Sequence, residues 1–184
     1  MPGEYLEAAL VEFCAPTLMG LKPASLFRCQ AEVQADLLRL SRELAPFGLA
    51  LRVLNICPRT GAALVYLYRA AWLRQILAEP SVETFLGRMG YLGHSCAALL
   101  EQLRRRLHAE QDFPHEIGVF LGYPLEDVVG FIENHGQNYT CCGCWKAYGD
   151  PSAAEARFAS YRQCTALCRG RYESGVDLTQ LIAA

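Results

Sequence analysis

Hydrophobic positions along this chain switch between helical and strand-like spacing several times, and the switches lay out its elements. Leu6, Leu10 and Phe13 recur at helical spacing and predict a first helix. Pro16 is expected to close it near Cys14, because proline lacks the amide N–H and its ring crowds the preceding turn. Residues 25–29 read as a short strand. Val33, Leu37, Leu40 and Leu44 then line one face of a second helix, with Asp36, Arg39 and Glu43 on the opposite face and Gly48 ending it. Two runs rich in aliphatic and aromatic side chains, 49–56 and 62–68, flank Pro58-Arg59-Thr60-Gly61 and predict a β-hairpin with a longer turn.

Beyond the hairpin the pattern becomes helical over 72–77, 82–89 and 95–109, where Cys96, Leu99, Leu100, Leu103 and Leu107 form an apolar stripe. Residues 113–136 predict two short helices, each with proline in the favoured first turn (Pro114, Pro124), separated by Gly122-Tyr123 and ended by Gly136. A loop from 138 leads into a strand near 145–148. Asp150 then caps and Pro151 starts a helix with Ala154, Phe158, Tyr161, Thr165 and Cys168 on one face, and 178–182 docks as a last turn. No repeat, linker or change of composition marks a boundary, so the expectation is a single domain over residues 1–184. Its class is α+β, with a small, mostly antiparallel sheet (the 49–68 hairpin plus short strands near 25–29 and 145–148) covered by helices.

A chain of 184 residues buries roughly 70% of the surface exposed on unfolding and needs no metal or disulfide to fold. With 52% hydrophobic and 20% charged residues, it has the composition of an ordered globular protein. The formal net charge of −2 opposes a broad electropositive surface, so nucleic acid is not an expected partner. The uncharged stretch 117–125 is far short of the ~20 residues that span a bilayer, and the acidic start lacks the basic residues of a secretory signal. The expectation is a cytoplasmic address without membrane insertion. Nine cysteines, scattered and odd in number, do not suit a disulfide framework in that setting. Packing, metal ligation and redox chemistry remain as their uses, with packing the ordinary one.

Several motifs need weighing against plainer accounts. Cys141 and Cys144 have zinc-knuckle spacing, and Cys164 and Cys168 lie one helical turn apart, so the four form a candidate zinc tetrad. Against it, Cys168 continues the apolar stripe of its helix and Cys164 lies beside it, which packing explains; no cofactor is required by the sequence. Residues 115–134 mimic a helix-turn-helix, but the second helix carries Glu126, Asp127 and Glu133 and no basic residue, which would repel phosphates, so a plain helical hairpin is expected. Arg104, Arg105 and Arg106 step about 100° apart around their helix and form no compact phosphate site. They are expected to face water, with Glu101 placed to pair with Arg105. Ser95, in a faint likeness of a nucleophile elbow, reads better as an N-cap. His115 and Glu116 at a helix start are candidate proton carriers, although a first-turn glutamate also complements the helix dipole with no further role.

Cys14-Ala15-Pro16-Thr17-Leu18 with Lys22, Tyr66-Leu67-Tyr68-Arg69 and Gly90-Tyr91 form one part of a wider pattern. Two longer blocks complete it: Phe113-Pro114-His115-Glu116-Ile117-Gly118 through Phe120-Leu121-Gly122-Tyr123-Pro124, Asp127-Val128 and Gly130-Phe131-Ile132, then Cys142-Gly143, Trp145-Lys146 and Tyr148-Gly149. In these the chain resembles, over nearly its full length, the bacterial family called domain of unknown function 3793, common in clostridia and their relatives. The resemblance implies a bacterial host but no activity and no catalytic residues. It implies a single family cysteine at Cys142, with tyrosine common at the position of Cys144, and so makes a zinc tetrad peculiar to this chain. It directs attention to Cys14, Cys142, Cys164 and His115.

Two functions from different classes follow as expectations. One is a thiol-dependent redox or small-ligand-handling protein, with Cys142, His115, Glu116 and Cys14 as candidate catalytic residues and Trp145, Lys146 and Tyr123 as candidate ligand-binding residues. The other is a non-catalytic module that contacts a protein partner. A pocket joining the His115 helix start, the segment 142–146 and the Cys14 loop favours the first, and an exposed apolar patch without convergent polar groups favours the second.

Overall fold

The structure is a computed structural model that describes residues 2–30, 34–109 and 113–183. The chain forms two compact units, Met1–Ala71 with Tyr161–Ala184, and Trp72–Ser160. The fold is α+β, as its patterning predicts.

The first unit contains α1 (Pro2–Leu18), β1 (Ala24–Gln30), α2 (Gln34–Leu44), β2 (Leu49–Ile56) and β3 (Ala62–Arg69). The strands pair antiparallel in the order β1-β3-β2, with Phe27 and Val53 both opposite Val65. A bulge between Val53 and Asn55 shifts the β2 register. Strand alternation sends Ala63, Val65 and Leu67 of β3, with Phe27, Cys29, Leu49 and Leu51, into one core shared with the helices. Leu6, Leu10, Cys14 and Leu18, each four residues apart, supply the fully buried stripe of α1. Phe13 is instead exposed and stacks on Phe27 at 6.1 Å.

Pro16 does not close α1, which runs on to Leu18. Burial of Cys14, Ala15, Thr17 and Leu18 holds the last turn in helical form despite the lost hydrogen bond. Arg69 satisfies the carbonyls left over there: Nε donates to Thr17 O (2.9 Å) and Nη2 to Leu18 O (2.8 Å) and Ala183 O (3.0 Å). Val33, expected on the α2 stripe, lies outside the described residues.

The second unit takes most of α3 (Ala70–Leu77), then α4 (Pro80–Arg88), α5 (Cys96–Ala109), the single turn α6 (Ile117–Phe120), α7 (Leu125–Glu133), β4 (Cys141–Cys142) and β5 (Lys146–Ala147). The first turns of α8 (Pro151–Glu173) also belong to it. The strand expected near 145–148 forms its own two-stranded sheet rather than joining the larger one, with Cys142 opposite Lys146. Only three residues separate β4 from β5, and Gly143 N donates to Trp145 O (3.0 Å) within that turn, so the segment finds its partner locally.

Ser95 caps α5, its Oγ accepting from Ala98 N at 3.2 Å. Arg104 and Arg105 pair with Glu101 as an exposed cluster. Arg106 does not face water: it turns inward to Met89 O (2.6 Å), the Tyr91 ring (4.3 Å) and Glu116 (3.3 Å). A buried carboxylate and an aromatic face outweigh solvation for this one guanidinium. Among the described residues, no helix is long and apolar enough to cross a membrane.

Candidate functional site

The hairpin of α6 and α7 is built for close approach. A Cβ on Gly118 would stand 2.7 Å from Val128 Cγ2 and 3.1 Å from the Tyr123 ring, so only glycine lets the two segments meet here. Ile117, Leu121 and Val128 are buried by this contact. Asp127, on the same face of α7, is 4% exposed and gathers the following strand. It accepts hydrogen bonds from Trp145 Nε1 (2.7 Å), Tyr148 N (2.6 Å) and Gly149 N (3.1 Å). This clamp sets the indole of Trp145 between the stacked ring of Tyr123 (4.6 Å) and the edge of Phe158 (4.6 Å, 83°). Gly143 lies against Phe158 so closely that a Cβ would collide with the ring.

These contacts leave a cavity of about 330 Å³. Ile117, Leu121, Val128 and Trp145 form its buried side, and Phe113, Tyr123 and Phe131 add aromatic walls. His115, Cys142, Gly143 and Cys144, all exposed, stand where it meets solvent, together with half-buried Lys146. Two polar groups share Phe131 as a neighbour. The His115 ring lies 4.8 Å from it, and Lys146 Nζ lies 5.9 Å from its centroid. Lys146 Nζ also donates to Gly136 O at 2.6 Å.

Six residues singled out from the sequence thus line one cavity: His115, Tyr123, Cys142, Cys144, Trp145 and Lys146. Glu116 does not. It is 2% exposed and accepts from Tyr91 Oη (3.0 Å) and Arg106, which makes it part of a buried ion pair rather than a dipole complement at an open helix end. Cys14 is in the core of the first unit, where burial drives its thiol pKa far above the ordinary value, with Lys22 opposing. Cys164 and Cys168 belong to that same core; burial pushes Cys164 up to about 12 and also raises Cys168. Cys141 is raised by burial and by Glu155, whose Oε1 is 4.0 Å from its sulfur. Among the described residues, no group of three or more His, Cys, Asp or Glu side chains is placed to hold a metal ion. A contrasting thiol is Cys57 in the β2–β3 turn. The Thr60 hydroxyl, then the Thr60 and Arg59 backbone and the Arg59 charge, lower it to about 7.

Phe113, Phe131 and Asp127 line the cavity although sequence reasoning gave them no role there. Val128 and Phe131, three residues apart on one face of α7, read from the sequence as interior positions, whereas Asp127 reads only as a charge.

Fold and cavity together define an α+β protein with a ligand-sized, aromatic-walled pocket in its second unit. The chain belongs to the family described as "Protein of unknown function (DUF3793)", which matches residues 10–182. No curated protein and no solved structure matches it.

Proposed function

We propose that this protein binds a small, largely apolar organic molecule in the cavity between the α6–α7 hairpin and the β4–β5 turn. The observation that carries the reading is the convergence of Phe113, Tyr123, Phe131 and Trp145 with His115 and Lys146 around one space of about 330 Å³. That volume equals roughly eleven waters at ~30 Å³ each and falls at the lower end of small-molecule pockets, ~300–1,000 Å³. It suits a molecule of one or two rings. Apolar walls supply burial energy, and a few polar groups at the edge supply orientation.

The exposed thiols of Cys142 and Cys144 line the same cavity, and this favours, as a second reading, thiol chemistry on the bound molecule. Nine cysteines, all free, suit the reducing cytoplasm as its compartment. A protein-docking module would instead be favoured by an exposed apolar patch without such convergent polar groups.

The test is a panel of one- and two-ring fragments added to the full chain while amide NMR resonances are followed. The reading expects saturable shifts confined to residues around His115, Phe131 and Cys142–Lys146, lost in Phe131→Ala. Replacing Cys142 and Cys144 by serine should leave binding intact but abolish any covalent adduct. Fragments that shift no resonance in this region, while the protein remains folded, would refute it.

A further inference from the structure

Resting on the reading of the cavity as a small-molecule site, we infer that its ligand carries an anionic group, a carboxylate or a phosphate, recognised by Lys146 and His115. An ammonium beside apolar walls loses hydration and needs a compensating partner. Among the described residues no carboxylate pairs with Lys146; it gives one hydrogen bond to Gly136 O and stands 5.0 Å from the Tyr139 centroid and 5.9 Å from that of Phe131. An ammonium has three donors, so two remain for a ligand. The carboxylate that lines the cavity, Asp127, is already occupied by the Trp145 indole and two backbone amides and is not the counter-ion.

His115 supports the same assignment. Its ring packs on Phe131 at 4.8 Å, it is exposed, it lines the cavity, and neither ring nitrogen has a hydrogen-bond partner among the described residues. An imidazole in either tautomer keeps one N–H to donate. Phe131 is therefore flanked by two groups with donors to spare beside an apolar space. That arrangement fits a ring system lying against Tyr123 and Trp145 with its acid group toward Lys146 and His115. Charge-assisted hydrogen bonds of this kind are shorter and stronger than neutral ones.

The experiment compares matched probes on the full chain: benzoate, naphthalene-2-carboxylate and indole-3-acetate, each against its primary amide, and naphthyl phosphate against naphthol. Affinity is read by isothermal titration calorimetry. At least one acid should bind about tenfold or more tighter than its neutral partner, the discrimination of one charge-assisted hydrogen bond. Whether carboxylates or the phosphate show the larger ratio identifies the source of the anion. Lys146→Met should erase the ratio and Lys146→Arg should keep it; His115→Ala, at an exposed position, should reduce it without touching the fold. Equal binding of acid and amide, or a ratio that survives both Lys146→Met and His115→Ala, overturns the anion assignment while leaving the cavity reading intact. No binding by any acid or neutral probe overturns both.

Discussion

Replacing Asp127 by asparagine tests whether one carboxylate builds the cavity wall. Asparagine has nearly the same shape but only one acceptor oxygen. If that oxygen keeps the amides of Tyr148 (2.6 Å) and Gly149 (3.1 Å), the new NH₂ must face the Trp145 indole N–H at 2.7 Å, donor against donor. A buried, charge-assisted hydrogen bond is then lost and two others become neutral. Bonds to charged groups are worth about 1.5–3 kcal/mol and neutral ones about 0.5–1.5, so one bond lost and two weakened should cost the second unit about 3.5–6 kcal/mol. The assay is urea unfolding followed by amide NMR resonances of residues 72–160, because the two units need not unfold together. Trp145→Phe removes the conflicting donor, so in that background the cost of Asp127→Asn should fall by the lost bond's share, about 1.5–3 kcal/mol. A cost below about 0.5 kcal/mol, the range of an ordinary surface change, or one unaltered by Trp145→Phe, would refute the clamp.

Gly143→Ala drives a methyl into the Phe158 ring and should cost about 1–3 kcal/mol, as overpacking does; an unchanged thermal midpoint would contradict that contact. Alkylation of Cys57 by iodoacetamide, read by peptide mass spectrometry, should reach half its plateau rate near pH 7, since its pKa is lowered to about 7. Thr60→Val should move this midpoint up toward the ordinary thiol value, and a profile indifferent to Thr60 would sink the explanation. Cys164 has the opposite sign: its folded-state pKa is raised from 9.0 to about 12, so folding favours the protonated thiol. Its contribution is complete below pH 9 and is lost as pH rises toward 12. Cys164→Ala should flatten the fall of the urea midpoint across that window, and an identical fall in both proteins would contradict the burial account.

Much of the fold was legible because its elements are encoded locally. The hairpin signal at 49–68 comes from β-branched and aromatic runs around a Pro-Arg-Thr-Gly turn, and the strands β2 and β3 occupy those runs. Pro16 misleads because the stripe Leu6, Leu10, Cys14, Leu18 continues past it, and burial of that stripe outweighs local helix propensity. Arg106 misleads because its partner Glu116 is supplied by a segment outside its helix, which periodicity cannot reveal. The site shows the same division. His115, Tyr123, Cys142, Trp145 and Lys146 stand out as residue types, but Asp127 reads from sequence only as a charge that repels phosphate. Its actual work depends on three donors about twenty residues further along the chain. Cys14 shows the converse, a cysteine that looked chemical and is sealed in the first core.

The central claim, that the space between the α6–α7 hairpin and the β4–β5 turn is a small-molecule site, is tested most directly by crystallographic fragment soaking of the full chain. The expected result is ligand density bounded by Tyr123, Phe131 and Trp145, with its polar end toward Lys146 and His115. Fragments that bind elsewhere on the protein while this cavity stays free of them, or walls found closed on one another, would contradict it.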